Sequence, residues 1–138
     1  LEDSREPGMR NYMVKLRGKV VSGTGEGRRY VLIYMSVFRE KLGFEPYPGT
    51  LNIDVGFDAS KIYLSLNPIV IDPPSNTYKP VYALPARIDD TEGYVIRPFA
   101  TSHKWNILEF IAPYCIREKL GLRDGDLVEI TLYNRVYN

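Results

Sequence analysis

With 138 residues, 44% of them hydrophobic and 25% charged, the chain has the length of one globular domain closing a single core, and two domains would not fit comfortably. A net charge of +1 excludes a strong global attraction to nucleic acid, so any anion site has to be local. One cysteine, Cys115, cannot form an intramolecular disulfide, and apolar runs such as Val31 to Tyr34 are far too short to span a bilayer, so a soluble cytoplasmic protein without membrane partners is expected.

Eleven tyrosines, ten prolines and eleven glycines among short Val/Ile/Leu runs favour strands and turns over a helical bundle. Residues Leu1 to Arg10 are polar, carry Pro7 and Gly8 and lack an initial methionine; together with the next two residues they read as an N-terminal linker over 1–12. From Met13 to Ser22 the chain alternates, with Val14, Leu16 and Val20 on one face and Lys15, Arg17 and Lys19 on the other, as a half-exposed strand does. Three glycines in the five positions from Gly23 to Gly27 follow, and Arg29 to Tyr34 reads as a second strand, which makes a strand, glycine loop, strand unit.

Ser36 to Leu42 has helical spacing, with Ser36 as N-cap and Gly43 as the stop. After the turn Pro46 to Gly49, the segment TLNIDV predicts a strand with Thr50, Asn52 and Asp54 on one face and Leu51, Ile53 and Val55 on the other. Residues 58–78 look irregular. Strands return at Val81 to Ile88 and Tyr94 to Pro98, joined by a DDTEG turn. Asn106 to Pro113 fits strand or helix by period and leans to strand by its brevity; Ile116 to Leu120 is a helical turn closed by Gly121, and Leu127 to Leu132 is a last strand.

Three features could carry chemistry. Successive amides of the glycine loop can form an anion-binding nest beside Arg28 and Arg29, although an ordinary hairpin loop has the same composition, and no Walker motif or helix-opening GxGxxG is read here. Thr50 and Asn52 offer two neutral oxygens to Mg²⁺ if nucleotide phosphates complete its shell; a solvated strand edge would look alike. Glu109 is a carboxylate inside the apolar run NILEFIAP, so it needs a partner within the fold, such as an arginine, or a ligand. His103 has no second histidine or cysteine at ligand spacing, and a surface position is its default reading.

Taken together, KVVSGTGEGRRY, GFEPYPGTLNIDV and TSHKWNILEFIAPYCIREKLGLRDGDLVEI closely resemble the archaeal CTP-dependent riboflavin kinases, over nearly the whole chain from about Lys15 to Tyr133. The resemblance implies a mainly β fold, a six-stranded cradle-loop (RIFT-related) barrel with a few short helices, occupying residues 13–138. It implies transfer of the γ-phosphoryl group of CTP to riboflavin, giving FMN and CDP. On the matching motifs it assigns Gly23, Thr24, Gly25, Glu26, Gly27, Arg28, Tyr114, Cys115, Ile116 and Arg117 to the nucleotide, Thr50 and Asn52 to Mg²⁺, and Thr101 and Glu109 to the flavin. Glu109 is also the candidate to accept the ribityl hydroxyl proton, though a flavin-orienting hydrogen bond explains the same residue. Some family members carry an upstream helix-turn-helix domain, and the linker is consistent with one. The rival reading is an AbrB-like barrel, resembled by GLRDGDLVEITL, which would bind nucleic acid or sense a ligand through Lys15, Arg17, Lys19, Arg28 and Arg29.

Overall fold

The structure, a computed structural model, describes residues 12–134; the expected linker lies outside them except for Tyr12. Seven strands run as β1 Met13–Val21, β2 Leu51–Asp54, β3 Ile69–Ile71, β4 Val81–Ile88, β5 Thr91–Pro98, β6 Ile107–Ile111 and β7 Leu127–Tyr133. Four short helices accompany them: α1 Glu26–Ile33, α2 Met35–Leu42, α3 Ser60–Ser65 and α4 Ile116–Leu120. The protein is therefore mainly β, as expected.

All pairings are antiparallel, in the order β3-β4-β5-β6-β2-β1-β7, and a further pairing of β4 with β7 joins the ends. Six strands thus pair in a ring, which leaves few open edges, and β3 extends β4 as a seventh. One apolar cluster draws on all six ring strands and on α3, with Val20, Ile53, Tyr63, Leu84, Phe110 and Ile130 fully or almost fully buried; it fills the ring. A second cluster lies outside, where Val31 and Tyr34 from α1 and its end, and Phe38 and Leu42 from α2, cover Ile71, Val81, Ile96 and Ile111.

Three readings from the sequence are corrected. Arg29 to Tyr34 is helix, not strand: Gly25 at φ 88° opens α1, and Tyr30, Tyr34 and Phe38, spaced by four, stack along one face with centroids 4.2 and 5.8 Å apart. A β-branched run suggested a strand, but burial of this aromatic face decides the outcome. Ser36 is not an N-cap, because Tyr34 holds that position and α2 begins at Met35; Gly43 does end the helix at φ 82°. The DDTEG turn shrinks to Asp89 and Asp90, with Asp89 at φ 52°, so that Ile88 faces Thr91 and β5 starts three residues earlier than expected. The irregular stretch after Asp58 holds α3 and β3.

Candidate active site

Strand alternation puts Asn52 of β2 and Glu109 of β6 opposite one another, and Glu109 opposite Ile96 of β5. These three side chains share the outer face of the ring, the face that α1 and α2 cover. The glycine loop leaves β1 at the same level, since Val21 is the register partner of Asn52. Contact is close: a Cβ built on Gly23 would lie 2.3 Å from the Asn52 Nδ2, and one on Gly27 would lie 2.3 Å from the Thr50 Oγ1. A larger residue would have to displace the Asn52 or Thr50 side chain, so glycine at these two positions is explained by approach to the polar strand rather than by a left-handed backbone.

Thr50 Oγ1 and Asn52 Oδ1 lie 3.3 Å apart, and Asn52 is 5% exposed. Two neutral oxygens at that separation fit adjacent positions around one small octahedral cation, provided the remaining ligands bring the negative charge. Among the described residues no group of three or more His, Cys, Asp and Glu could hold a metal by itself. Asp54, on the same face, is turned to other work: its Oδ1 accepts from the Gly56 amide at 2.9 Å and the Asn106 Nδ2 at 3.1 Å.

One cleft is lined by Thr24, Glu26, Gly27, Thr50, Asn52, Thr101, His103 and Glu109, joining segments up to 85 positions apart in the chain, from Thr24 to Glu109. A more open hollow beside it is lined by Gly23, Gly25, Arg28 and Arg117. A third, lined by Tyr47, Leu51, Tyr114, Cys115, Ile116 and Arg117, adjoins both at Thr50. The expected residues accordingly divide: Thr101 and Glu109 stand on one side of Thr50, and Tyr114 to Arg117 stand on the other. The loop opens a helix, contrary to expectation, so the free amides at the start of α1 and the positive end of its dipole add to the loop amides there.

Glu109 is 8% exposed, and among the described residues neither an ion pair nor a hydrogen bond satisfies its carboxylate. Burial pushes its pKa from 4.5 up to about 7; Arg97 opposes the rise and Glu26 adds to it. The arginine anticipated as its partner exists, but it does not pair. Arg97 follows Ile96 in β5 and so points to the other side of the sheet, where it donates to the His103 and Lys104 carbonyls. Sequence reasoning missed Arg97, as it missed Tyr30, a half-buried tyrosine lining the cleft whose ionisation is opposed by burial first and by neighbouring Tyr34 next. The four-residue spacing of Tyr30, Tyr34 and Phe38 was the available signal.

Arg117 links the loop to the far end of the chain. Its Nη2 donates to Asp124 Oδ1 at 2.7 Å and to the Val21 carbonyl at 3.3 Å, while Ser22 Oγ donates to Asp124 Oδ2. These partners hold the Asp124 carboxyl below its ordinary range, the Ser22 hydrogen bond first. Lys15, Arg17 and Lys19 are exposed on β1 and line none of these clefts.

Fold and clefts together define a class, a small strand-ring protein with adjoining clefts that meet at Thr50. A family model named CTP-dep_RFKase, with the description domain of unknown function DUF120, matches residues 20–132. The chain is 45% identical over 121 residues to the riboflavin kinase of Staphylothermus marinus, covering 88% of this chain and 93% of that one. It is 48% identical over 128 residues to the riboflavin kinase of Pyrobaculum islandicum, covering 87% and 61%, and 43% identical over 125 residues to that of Archaeoglobus fulgidus, covering 85% and 54%. It therefore spans nearly all of the first relative and a little over half of the other two. The chain belongs to the CTP-dependent riboflavin kinase family. No helix among the described residues is long and apolar enough to cross a membrane.

Proposed function

We propose that this chain transfers the γ-phosphoryl group of CTP to the 5'-hydroxyl of riboflavin, giving FMN and CDP, with Mg²⁺ bound at Thr50 and Asn52. The observation that carries this reading is the meeting of glycine loop, Thr50, Asn52 and Glu109 around one cleft in a member of this family. The triphosphate lies along Gly23 to Arg28, where loop amides, the start of α1 and the guanidinium groups of Arg28 and Arg117 meet the charge. The base enters the hollow of Tyr47, Leu51 and Tyr114 to Arg117, where selection of a pyrimidine would rest on shape. Riboflavin occupies the side of Thr101 and Glu109.

Phosphoryl transfer demands alignment and charge neutralisation more than covalent chemistry. Thr50 and Asn52 would hold Mg²⁺, whose charge would offset that of the phosphate oxygens on the transferring group. Thr50 and Asn52 fix where those oxygens sit, the loop amides exclude water from them, and Glu109 accepts a hydrogen bond from the flavin side chain. A carboxyl near pKa 7 can also take the proton of the attacking hydroxyl, a role for Glu109 that goes beyond orienting.

The test is incubation with riboflavin, Mg²⁺ and either CTP or ATP, with chromatography of the flavins. FMN formed with CTP is the expected result. No FMN with either nucleotide would sink the activity, and a clear preference for ATP would refute the nucleotide assignment alone.

A further inference from the structure

Between β5 and β6 the chain makes a strap, residues 99–106, that lines the cleft and packs Trp105 against the barrel core. Its ends are tied by backbone hydrogen bonds: Phe99 N donates to the Pro80 carbonyl at 3.1 Å, and the Trp105 and Asn106 carbonyls accept from Ala59 N at 3.2 Å and Val55 N at 2.8 Å. Its middle faces the cleft through Thr101, Ser102 and His103. That middle is held locally, where Thr101 N donates to the Pro98 carbonyl at 3.3 Å and His103 N to Thr101 Oγ1 at 3.1 Å, and also from behind. Arg97 Nη2 donates to the His103 carbonyl at 2.6 Å and Nη1 to the Lys104 carbonyl at 3.1 Å. The same guanidinium lies 4.1 Å from the centroid of the Trp105 ring, which in turn packs 5.3 Å from Tyr63 in the barrel core.

Arg97 is 9% exposed and is not part of the cleft wall. A buried cation that makes no ion pair among the described residues and spends its donors on two successive carbonyls has a conformational task. We propose that Arg97 is a positioning residue for the acceptor: it fixes the strap in the shape that presents Thr101 to the cleft, and thereby sets affinity for riboflavin while leaving the nucleotide side alone. This rests on the assignment of Thr101 and Glu109 to the acceptor. The nucleotide side is independent because its residues come from the glycine loop, β2 and the segment 114–117, none of which touches the guanidinium. Lysine cannot replace the arginine fully, since a single ammonium lacks the planar fork that spans two carbonyls and stacks on an indole.

The experiment compares wild type with Arg97→Lys and Arg97→Met, measuring KM for riboflavin at saturating CTP and KM for CTP at saturating riboflavin. Expected is a rise of about tenfold or more in the riboflavin KM for the methionine variant, a smaller rise for lysine, and a CTP KM within about twofold of wild type. Trp105 is the chain's single tryptophan, so its emission reports the strap directly and should shift in both variants. Adding Thr101→Ala to Arg97→Lys should cost less than the two separate effects combined, because both act through one segment. An unchanged riboflavin KM, equal rises in both KM values, or full additivity would overturn the proposal. Should the methionine variant fail to fold, the lysine variant carries the same test. If wild type makes no FMN, the kinase reading fails; riboflavin binding followed by Trp105 quenching then decides the strap, and equal affinity in wild type and Arg97→Lys, or no binding, overturns it.

Discussion

Glu109 illustrates how one residue can cost stability and still be kept. Its carboxyl is buried against the outer face of the ring with Arg97 on the other side of the sheet, near enough to moderate the rise in pKa but not to bond. Because the folded pKa of about 7 exceeds the unfolded 4.5, the native state binds more protons than the unfolded chain throughout that interval. Stability contributed by the protonated form is therefore complete below pH 4.5 and is lost as pH rises through 7. The ligand-free Glu109→Gln variant should melt higher than wild type at pH 8, and the gap should close towards pH 5; thermal melts at both pH values check it, and a constant gap would place the cause elsewhere. At Asn52 the expectation is catalytic: Asn52→Ala should lower turnover by roughly a hundredfold or more, as loss of a transition-state charge contact does. Wild-type turnover at saturating Mg²⁺ would remove Asn52 from the metal site.

At the level of elements, glycine has two distinct uses here, and alanine substitutions separate them. A Cβ at Gly27 would press on the side chain of Thr50, which can rotate away, whereas one at Gly93 would lie 2.2 Å from the Ile111 carbonyl, part of a backbone ladder that cannot yield. Gly27→Ala should consequently keep its circular dichroism and lose activity by about tenfold or more, while Gly93→Ala should lose the fold. Activity retained in Gly27→Ala would show that the loop need not touch Thr50. The same elements mark what the sequence could reveal. Alternation in Met13 to Val21 was legible because that strand has one buried face, and in Leu51 to Asp54 because apolar side chains enter the ring while polar ones face the cleft, although Asn52 is buried as well. The helix at Glu26–Ile33 was not, because VLI is as good a strand as a helix until the aromatic stack with Phe38 is known. For the site, Thr50, Asn52 and Glu109 stood out as polar residues in apolar or alternating runs. Arg97 did not, since its partners are the carbonyls of residues six and seven positions on, and backbone carbonyls leave no trace in a pattern of side chains.

For the whole molecule, the ring depends on the seam that closes it, where β7 returns to β4. Strand β7 meets β1 over seven register pairs but closes on β4 over only three, Ala86 with Leu132, Arg87 with Thr131 and Ile88 with Ile130. What holds that seam is apolar packing: Ala86, Ile88, Ile130 and Leu132 are 0 to 1% exposed within the cluster that all six ring strands share. Leu132→Ala removes a side chain from this shared core and should cost about 2–5 kcal/mol in urea unfolding, whereas Leu127→Ala, 70% exposed at the start of the same strand, should stay within about 0.5 kcal/mol. Trp105 packs against the same cluster from the strap between β5 and β6, remote from the seam in ring order. If the ring is one cooperative unit, Trp105 emission and far-ultraviolet circular dichroism should fall together in Leu132→Ala, at a lower midpoint than in wild type. A seam that opens first would split the two transitions, and it would mean that the outer face carrying Asn52 and Glu109 can be held in register by β1, β2, β5 and β6 without closure of the ring.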